Sequence, residues 1–155
     1  MAVRAAVMTR PGVPLEEWEL DDPELAPGDV LLETIASEVC GTDVHLWHGR
    51  LSGVPYPIVP GHVSVGRVLE RAGPLLDFAG RPLAPGDVVT FYDVHGTCYR
   101  CWHCVVAGQP NLCPSRRVYG ITFSAADGLH GGWAERIHLR AGTHVLALPE
   151  GLEVD

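Results

Sequence analysis

The chain has 155 residues, 46% of them hydrophobic, and a formal charge of −8. That is one domain's length with material for a core, and no run reaches the roughly 18 apolar residues of a membrane-spanning helix. Its eleven basic residues, all arginine, face nineteen acids and form no cationic stripe, which argues against a nucleic-acid partner.

The N-terminus, MAVRAAVMTRPG, lacks the apolar stretch of a secretory signal, so the expected location is cytoplasmic, where thiols stay reduced. Short β-rich runs then follow at 3–8, 30–37, 63–70, 87–92, 118–123, 134–139 and 145–148. Eighteen glycines and thirteen prolines separate them, and Pro27-Gly28-Asp29 and Pro85-Gly86-Asp87 are turn signals immediately before two of the runs. Short strands punctuated in this way predict a mainly β barrel or sandwich. Helix is expected only for a turn or two after Cys40 and around Trp102–Ala107. No Gly-x-Gly-x-x-Gly occurs, and the six residues after Pro149 are too few for a βαβ unit, which takes roughly 30. A Rossmann-type dinucleotide site is therefore not expected within these residues.

The chemistry is concentrated in CYRCWHCVVAGQPNLC, where Cys98, Cys101, Cys104 and Cys113 read Cys-x2-Cys-x2-Cys-x8-Cys. Two-residue steps fold successive thiolates onto one point, and the longer gap lets a fourth close a tetrahedron, the geometry of structural Zn2+. An iron–sulfur cluster also takes four cysteines, and spacing alone leaves it open. Serial Cys-x2-Cys steps favour a metal over a disulfide ladder. A second constellation pairs Cys40, in EVCGTDVHLWHG, with His62, after Pro60-Gly61. A thiolate and an imidazole suit zinc, but two donors are one fewer than a catalytic site usually has.

Taken in order, CGTDVH, PGHVSVGRV, GDVV and the four-cysteine lobe ending in NLC resemble the zinc-dependent medium-chain alcohol dehydrogenases, specifically their N-terminal GroES-like catalytic domain. The resemblance implies a partly open β-barrel with short helices over residues 1–149, a zinc lobe at about 95–114, and a connection at 150–155 to a nucleotide-binding domain absent from this chain. It makes Cys40 and His62 ligands of a catalytic zinc and Asp43 the carboxylate that holds the imidazole. It makes Thr42 the hydroxyl that bonds the substrate alcohol and His45 the imidazole that passes its proton outward. On local grounds alone Thr42 reads as a helix cap and His45 as a surface residue, and Asp43 is open to reading as a first-turn acid.

The chain departs from that pattern in three places. Val63 follows His62 where the family carries a glutamate. The gap before Cys113 is eight residues rather than seven, a small change in loop-closure cost. The family's third catalytic ligand falls beyond the last residue. A filled lobe is therefore expected, beside a Cys40–His62 site that is empty, partly filled or completed by water or solute.

The implied parent activity is NAD(P)-dependent oxidation of an alcohol or reduction of an aldehyde or ketone, and the chain is expected to be inactive without a nucleotide-binding domain supplied in trans. The competing account is a stand-alone zinc-stabilised binding or assembly module. A patch containing some of Trp18, Trp47, Trp102 and Trp133 would then be a docking surface or a route to a homo-oligomer. A co-chaperonin shares only the barrel, and fold alone carries no function. Trp47, Leu51 and Val94 are expected near a substrate pocket.

Overall fold

The computed structural model describes residues 2–149 and 151–152; of the expected connection, residues 150 and 153–155 lie outside the described residues. In chain order the strands are β1 (Ala2–Val7), β2 (Glu16–Asp21), β3 (Val30–Ser37), β4 (Ser64–Arg71), β5 (Leu75–Leu76), β6 (Pro82–Leu83), β7 (Val88–Phe91), β8 (Val94–His95), β9 (Arg117–Val118), β10 (Arg136–Leu139) and β11 (Val145–Ala147). Two short helices, α1 (Gly41–Trp47) and α2 (Trp102–Val105), follow β3 and β8 respectively.

Five strands form one antiparallel sheet in the order β10-β3-β4-β7-β11. Its two edges, β10 and β11, are not paired with each other, so the barrel is partly open. Register shifts near Leu31 and Thr34 bend β3 against β4, and such bulges increase local twist. Val30, Leu32, Val68, Val89, Phe91, Ile137, Leu139 and Val145 bury their side chains on the inner face together with Tyr119 and Phe123. The β1–β2 hairpin covers a second cluster through Val3, Ala5 and Val7, which meet Val59, Leu129 and Ala134. Met8, Leu46 and Ile58 form a third, which fastens α1 to the barrel. The Tyr56 hydroxyl reinforces this by donating to the Leu46 carbonyl at 2.6 Å.

The mainly β architecture is as expected, with local corrections. The run at 118–123 is not a strand: β9 stops at Val118. Beyond it the Tyr119 N–H goes to the Asp93 carbonyl, Gly120 turns at φ +69°, and Tyr119 and Phe123 point into the core. The run at 134–139 begins pairing with β3 only at Arg136, because Ala134 instead bridges to Ala5 of β1. The sequence reading omitted β2, an acid-rich strand paired along its length with β1.

Candidate metal centres

The four-cysteine lobe is an excursion of the chain between β8 and β9, closed at its neck by Val94 opposite Val118 and His95 opposite Arg117. The first Cys-x2-Cys step depends on Tyr99, which takes φ +50°, a left-handed turn that costs a non-glycine residue about 1 kcal/mol or more. That turn aims the backbone N–H groups of Arg100 and Cys101 at the Cys98 sulfur and lowers its pKa. The second step lies on α2, whose N-cap is Cys101. Cys113, fully buried, follows a turn of 3-10 helix at Pro110–Leu112.

All four sulfurs lie within 4.8 Å of one another, with Cys101 and Cys104 at 3.5 Å, and all four cysteines are free. A tetrahedral zinc with bonds of about 2.3 Å requires sulfur–sulfur separations of roughly 3.8 Å, so the donor set fits that ion. The backbone N–H of Cys98 donates to Cys113 at 3.4 Å and holds that thiol down at about 6. Burial, with the Cys101 thiol beside it, pushes Cys104 up to about 12. Cys98 and Cys113 are thus biased toward the thiolate that a metal takes, whereas the Cys104 proton is the harder one to displace.

The second constellation sits where β3 ends and α1 begins. Cys40 is the N-cap of α1, and its sulfur accepts the Thr42 N–H at 3.3 Å. Asp43 closes the capping box through Oδ2, which accepts the Cys40 N–H at 2.9 Å. His62 enters from the loop before β4, with Nε2 3.5 Å from the Cys40 sulfur. Its other ring nitrogen, Nδ1, faces Asp43 Oδ1 at 3.9 Å, and these two atoms are buried without a hydrogen-bond partner. One imidazole nitrogen is therefore turned to the thiol and the other to a carboxylate, the arrangement that fixes tautomer and orientation in a metal-ligating histidine. A shared zinc would separate such a sulfur and nitrogen by roughly 3.6 Å, so this pair also fits the ion.

The backbone around His62 is packed too tightly for side chains. A Cβ on Gly131 would lie 1.9 Å from the Val59 carbonyl oxygen, one on Gly132 would lie 1.9 Å from Ser64 Oγ, and one on Gly120 would lie 2.8 Å from Gly61. Two hydrogen bonds, Gly132 N–H to Gly61 O at 2.7 Å and Trp133 N–H to Pro60 O at 3.0 Å, clamp the Pro60–His62 loop onto that segment. These glycines position the ligand loop, and the sequence reading did not single them out. The adjacent pair Gly131-Gly132, before an aromatic residue, was the available signal.

The remaining expected residues are more scattered. Thr42 is half-buried beside Cys40, and His45 is exposed, its Nδ1 3.5 Å from an Arg50 nitrogen. Among the described residues no hydrogen bond joins Thr42 to His45. The trio expected at a substrate pocket does not converge. Val94 lines a cavity of about 620 Å³ with Phe78, Tyr92, His144 and Leu146, whereas Trp47 lines a smaller one of about 250 Å³ with Val39, Val44 and Trp133. Leu51 packs against the Met8–Leu46–Ile58 cluster. The last β7-side residue before the lobe, Asp93, is half-buried; burial raises its carboxyl pKa, and the nearby His62 imidazole opposes that rise.

Comparison with known proteins gives consistent matches. The family model described as alcohol dehydrogenase GroES-like domain matches residues 26–150. A 5-exo-hydroxycamphor dehydrogenase of Pseudomonas putida is 38% identical over 107 residues, 68% of this chain and 29% of that protein. An alcohol dehydrogenase structure from Thermotoga maritima superposes with TM-score 0.91 at 35% identity, covering 99% of this chain and 42% of its own. A solved NAD-dependent alcohol dehydrogenase gives TM-score 0.74 at 32% identity, over 97% and 40% respectively. The chain thus spans less than half the length of these relatives.

Proposed function

The chain belongs to the zinc-dependent medium-chain alcohol dehydrogenase family through its GroES-like domain, and from that premise we propose that it is the substrate-side half of an NAD(P)-dependent oxidoreductase interconverting alcohols with aldehydes or ketones. The carrying observation is the Cys40–His62 pair at 3.5 Å with Asp43 behind the imidazole. In this reading residues 1–149 are one catalytic domain, and the nicotinamide nucleotide is bound by a domain outside these 155 residues, which contain no glycine-rich dinucleotide fingerprint.

Cys40 and His62 would hold a zinc ion, which would supply Lewis-acid polarisation of the substrate oxygen. Asp43 Oδ1, 3.9 Å from His62 Nδ1, favours the proton on that nitrogen electrostatically and so leaves Nε2 free to face the site. Thr42, two residues on from Cys40, would accept a hydrogen bond from the alcohol hydroxyl and release its own proton as it takes that one. His45, one turn along α1 and open to solvent, would be the terminal acceptor through an intervening group, a role suited to neutral pH because an imidazole gains and loses protons there. Cys98, Cys101, Cys104 and Cys113 would hold a structural zinc that fixes the lobe.

The test is alcohol-dependent reduction of NAD(P)+ by this chain mixed with a family nucleotide-binding domain. Turnover lost in Cys40→Ser and His62→Ala, with the lobe zinc retained, supports the assignment. Turnover unchanged by both substitutions refutes it.

A second reading, a stand-alone zinc-stabilised binding or assembly module, has one observation in its favour. The lobe exposes Tyr99, Trp102, Val105 and Val106, each more than 60% accessible, a concentration of apolar surface suited to docking or to a homo-oligomer. Stable self-association through the lobe, with no turnover in any mixture, would favour it.

A further inference from the structure

The cavity of about 620 Å³ lies between the four-cysteine lobe and the edge of the barrel, with Tyr99 on the lobe side and His144 and Leu146 on the β11 side. None of Cys40, Thr42, Asp43, His45 and His62 lines it, so it is a place apart from the metal centre. Small-molecule sites occupy roughly 300–1,000 Å³ and are mostly apolar with a few placed polar groups. Phe78, Tyr92 and Tyr99 give this cavity aromatic walls, and the His144 ring meets Phe78 edge-on with centroids 5.6 Å apart. No acid and no arginine lines it, although the chain carries nineteen acids and eleven arginines. A charged ligand would therefore leave water for a wall without a counter-ion, which is costly.

One polar group in the wall, His95, has its proton placed by a chain of hydrogen bonds behind it. The Arg140 N–H donates to the Tyr119 hydroxyl at 2.8 Å, so Tyr119 turns its own proton to Thr143 Oγ1, also at 2.8 Å. Thr143 has a single proton and gives it to the Arg140 carbonyl at 2.8 Å. What Thr143 Oγ1 has left is a lone pair, and His95 Nδ1 stands 3.3 Å from it. Nδ1 therefore carries the imidazole proton and donates it, which leaves Nε2 as an acceptor. Among the described residues Nε2 has no hydrogen-bond partner, and it is not one of the unpaired buried atoms, so it opens to the cavity that His95 lines. Burial, then the charges of Arg140 and Arg117, hold the His95 pKa below the ordinary value, which keeps the ring neutral.

We propose that this cavity is a binding site for neutral phenol-type molecules, whose ring lies against Phe78, Tyr92 and Leu146 and whose hydroxyl donates to His95 Nε2. Each part of the ligand answers a feature of the wall. The absence of charged side chains selects a neutral molecule, and the aromatic side chains select a flat ring, which they meet by offset or edge-on contact. The acceptor nitrogen selects an O–H donor, and a site built to accept a hydrogen bond discriminates against the analogue that lacks the proton. The site does not depend on the assignment of Cys40 and His62.

The experiment is titration of the zinc-loaded chain with 2-naphthol and with 2-methoxynaphthalene, which has the same rings and no O–H, followed by amide chemical shifts. 2-Naphthol is expected to shift amides at 92–97 and 141–146 and to bind about five- to tenfold more tightly than the ether, the ratio given by one net hydrogen bond. His95→Phe keeps a ring and removes both nitrogens, so it should bind the two probes alike. Leu146→Trp, at an exposed position on the edge strand, fills the space and should weaken both by about tenfold or more. The ether comparison and Leu146→Trp leave His95 untouched, so they decide the matter even if His95→Phe does not fold. Equal affinity of the wild-type chain for the two probes overturns the proposal, as does a preference for the naphthol that survives His95→Phe. So do unchanged binding by Leu146→Trp, shifts centred on the smaller Trp47 cavity, and no binding at all, the result expected if a second copy of the chain covers this face.

Discussion

Asp43 serves two neighbours with two oxygens: Oδ2 caps the Cys40 N–H and Oδ1 faces the orphaned His62 Nδ1. Asp43→Ala removes the N3 half of the capping box while the Cys40 sulfur still caps α1, and is expected to cost about 1 kcal/mol of stability, measurable in denaturant melts of the metal-free chain. It should also weaken Co2+ binding at the Cys40–His62 centre, read by metal titration of the chain, by about 10–100-fold. Asp43→Asn retains an oxygen for the cap, so it should keep most of the stability and lose affinity, which separates the two roles. His130 tests a different contact. Its Nδ1 lies 2.9 Å from the His138 carbonyl, which accepts its proton; Nε2 is buried without a partner, and the ring stacks on His138, itself bonded to Asp29 at 2.8 Å. Burial holds its pKa down at about 4 against the hydrogen bond to the His138 carbonyl, which raises it; the charges of His138 and Arg140 add to the lowering and Asp127 opposes it. The folded value lies below the ordinary one, so the unfolded chain binds more protons between about pH 6.5 and 4. Stability is therefore full above that window and falls by about 3 kcal/mol as the pH drops through it. His130→Phe should flatten this component, seen as the difference between wild-type and variant stabilities at pH 7 and pH 4.5.

Elements carry the close approaches that place His62. Gly131→Ala would drive a methyl into the Val59 carbonyl oxygen, against backbone that cannot retreat, and is expected to cost more than about 3 kcal/mol or prevent folding. Gly41→Ala, at the start of α1 with nothing within 4 Å and no positive φ, should be neutral or slightly stabilising; thermal melts of the pair provide the comparison. The glycine contacts also show what was readable beforehand. Strands β1, β3, β4, β7 and β11 were legible because apolar runs between turn signals report burial directly. β2 was not, because its EEWELD sequence gains strand character only from pairing with β1. The segment 118–123 read as a strand because Val118, Tyr119, Ile121 and Phe123 are β-formers, yet Gly120 and the Asp93 carbonyl turn it inward. Cys40, Asp43 and His62 were legible as motif positions. The clamp of the Pro60–His62 loop by the Gly132 and Trp133 N–H groups was not, because it joins distant segments that no local pattern links.

At the scale of the whole molecule, the lobe and the barrel are energetically separate. The three apolar clusters draw on strands, α1 and the 119–134 segments, and no residue between Gly96 and Leu112 belongs to any of them. The lobe is attached through the two-residue β8–β9 ladder and the buried Cys113, so its order depends on the metal rather than on core packing. Removing the metal with a strong chelator should therefore release the lobe without dissolving the barrel. Hydrogen exchange is the appropriate readout, since it resolves local opening from global unfolding. Amides between about Gly96 and Arg116 should lose protection, while those of β3, β4, β7 and β10 keep theirs. Exposure of the lobe's thiols and of Trp102, already 63% accessible, should then make the chelated chain associate more readily than the loaded one. Loss of protection throughout the five-stranded sheet would instead mean that the four sulfurs and their ion hold the barrel itself together. The three apolar clusters would then be insufficient without them.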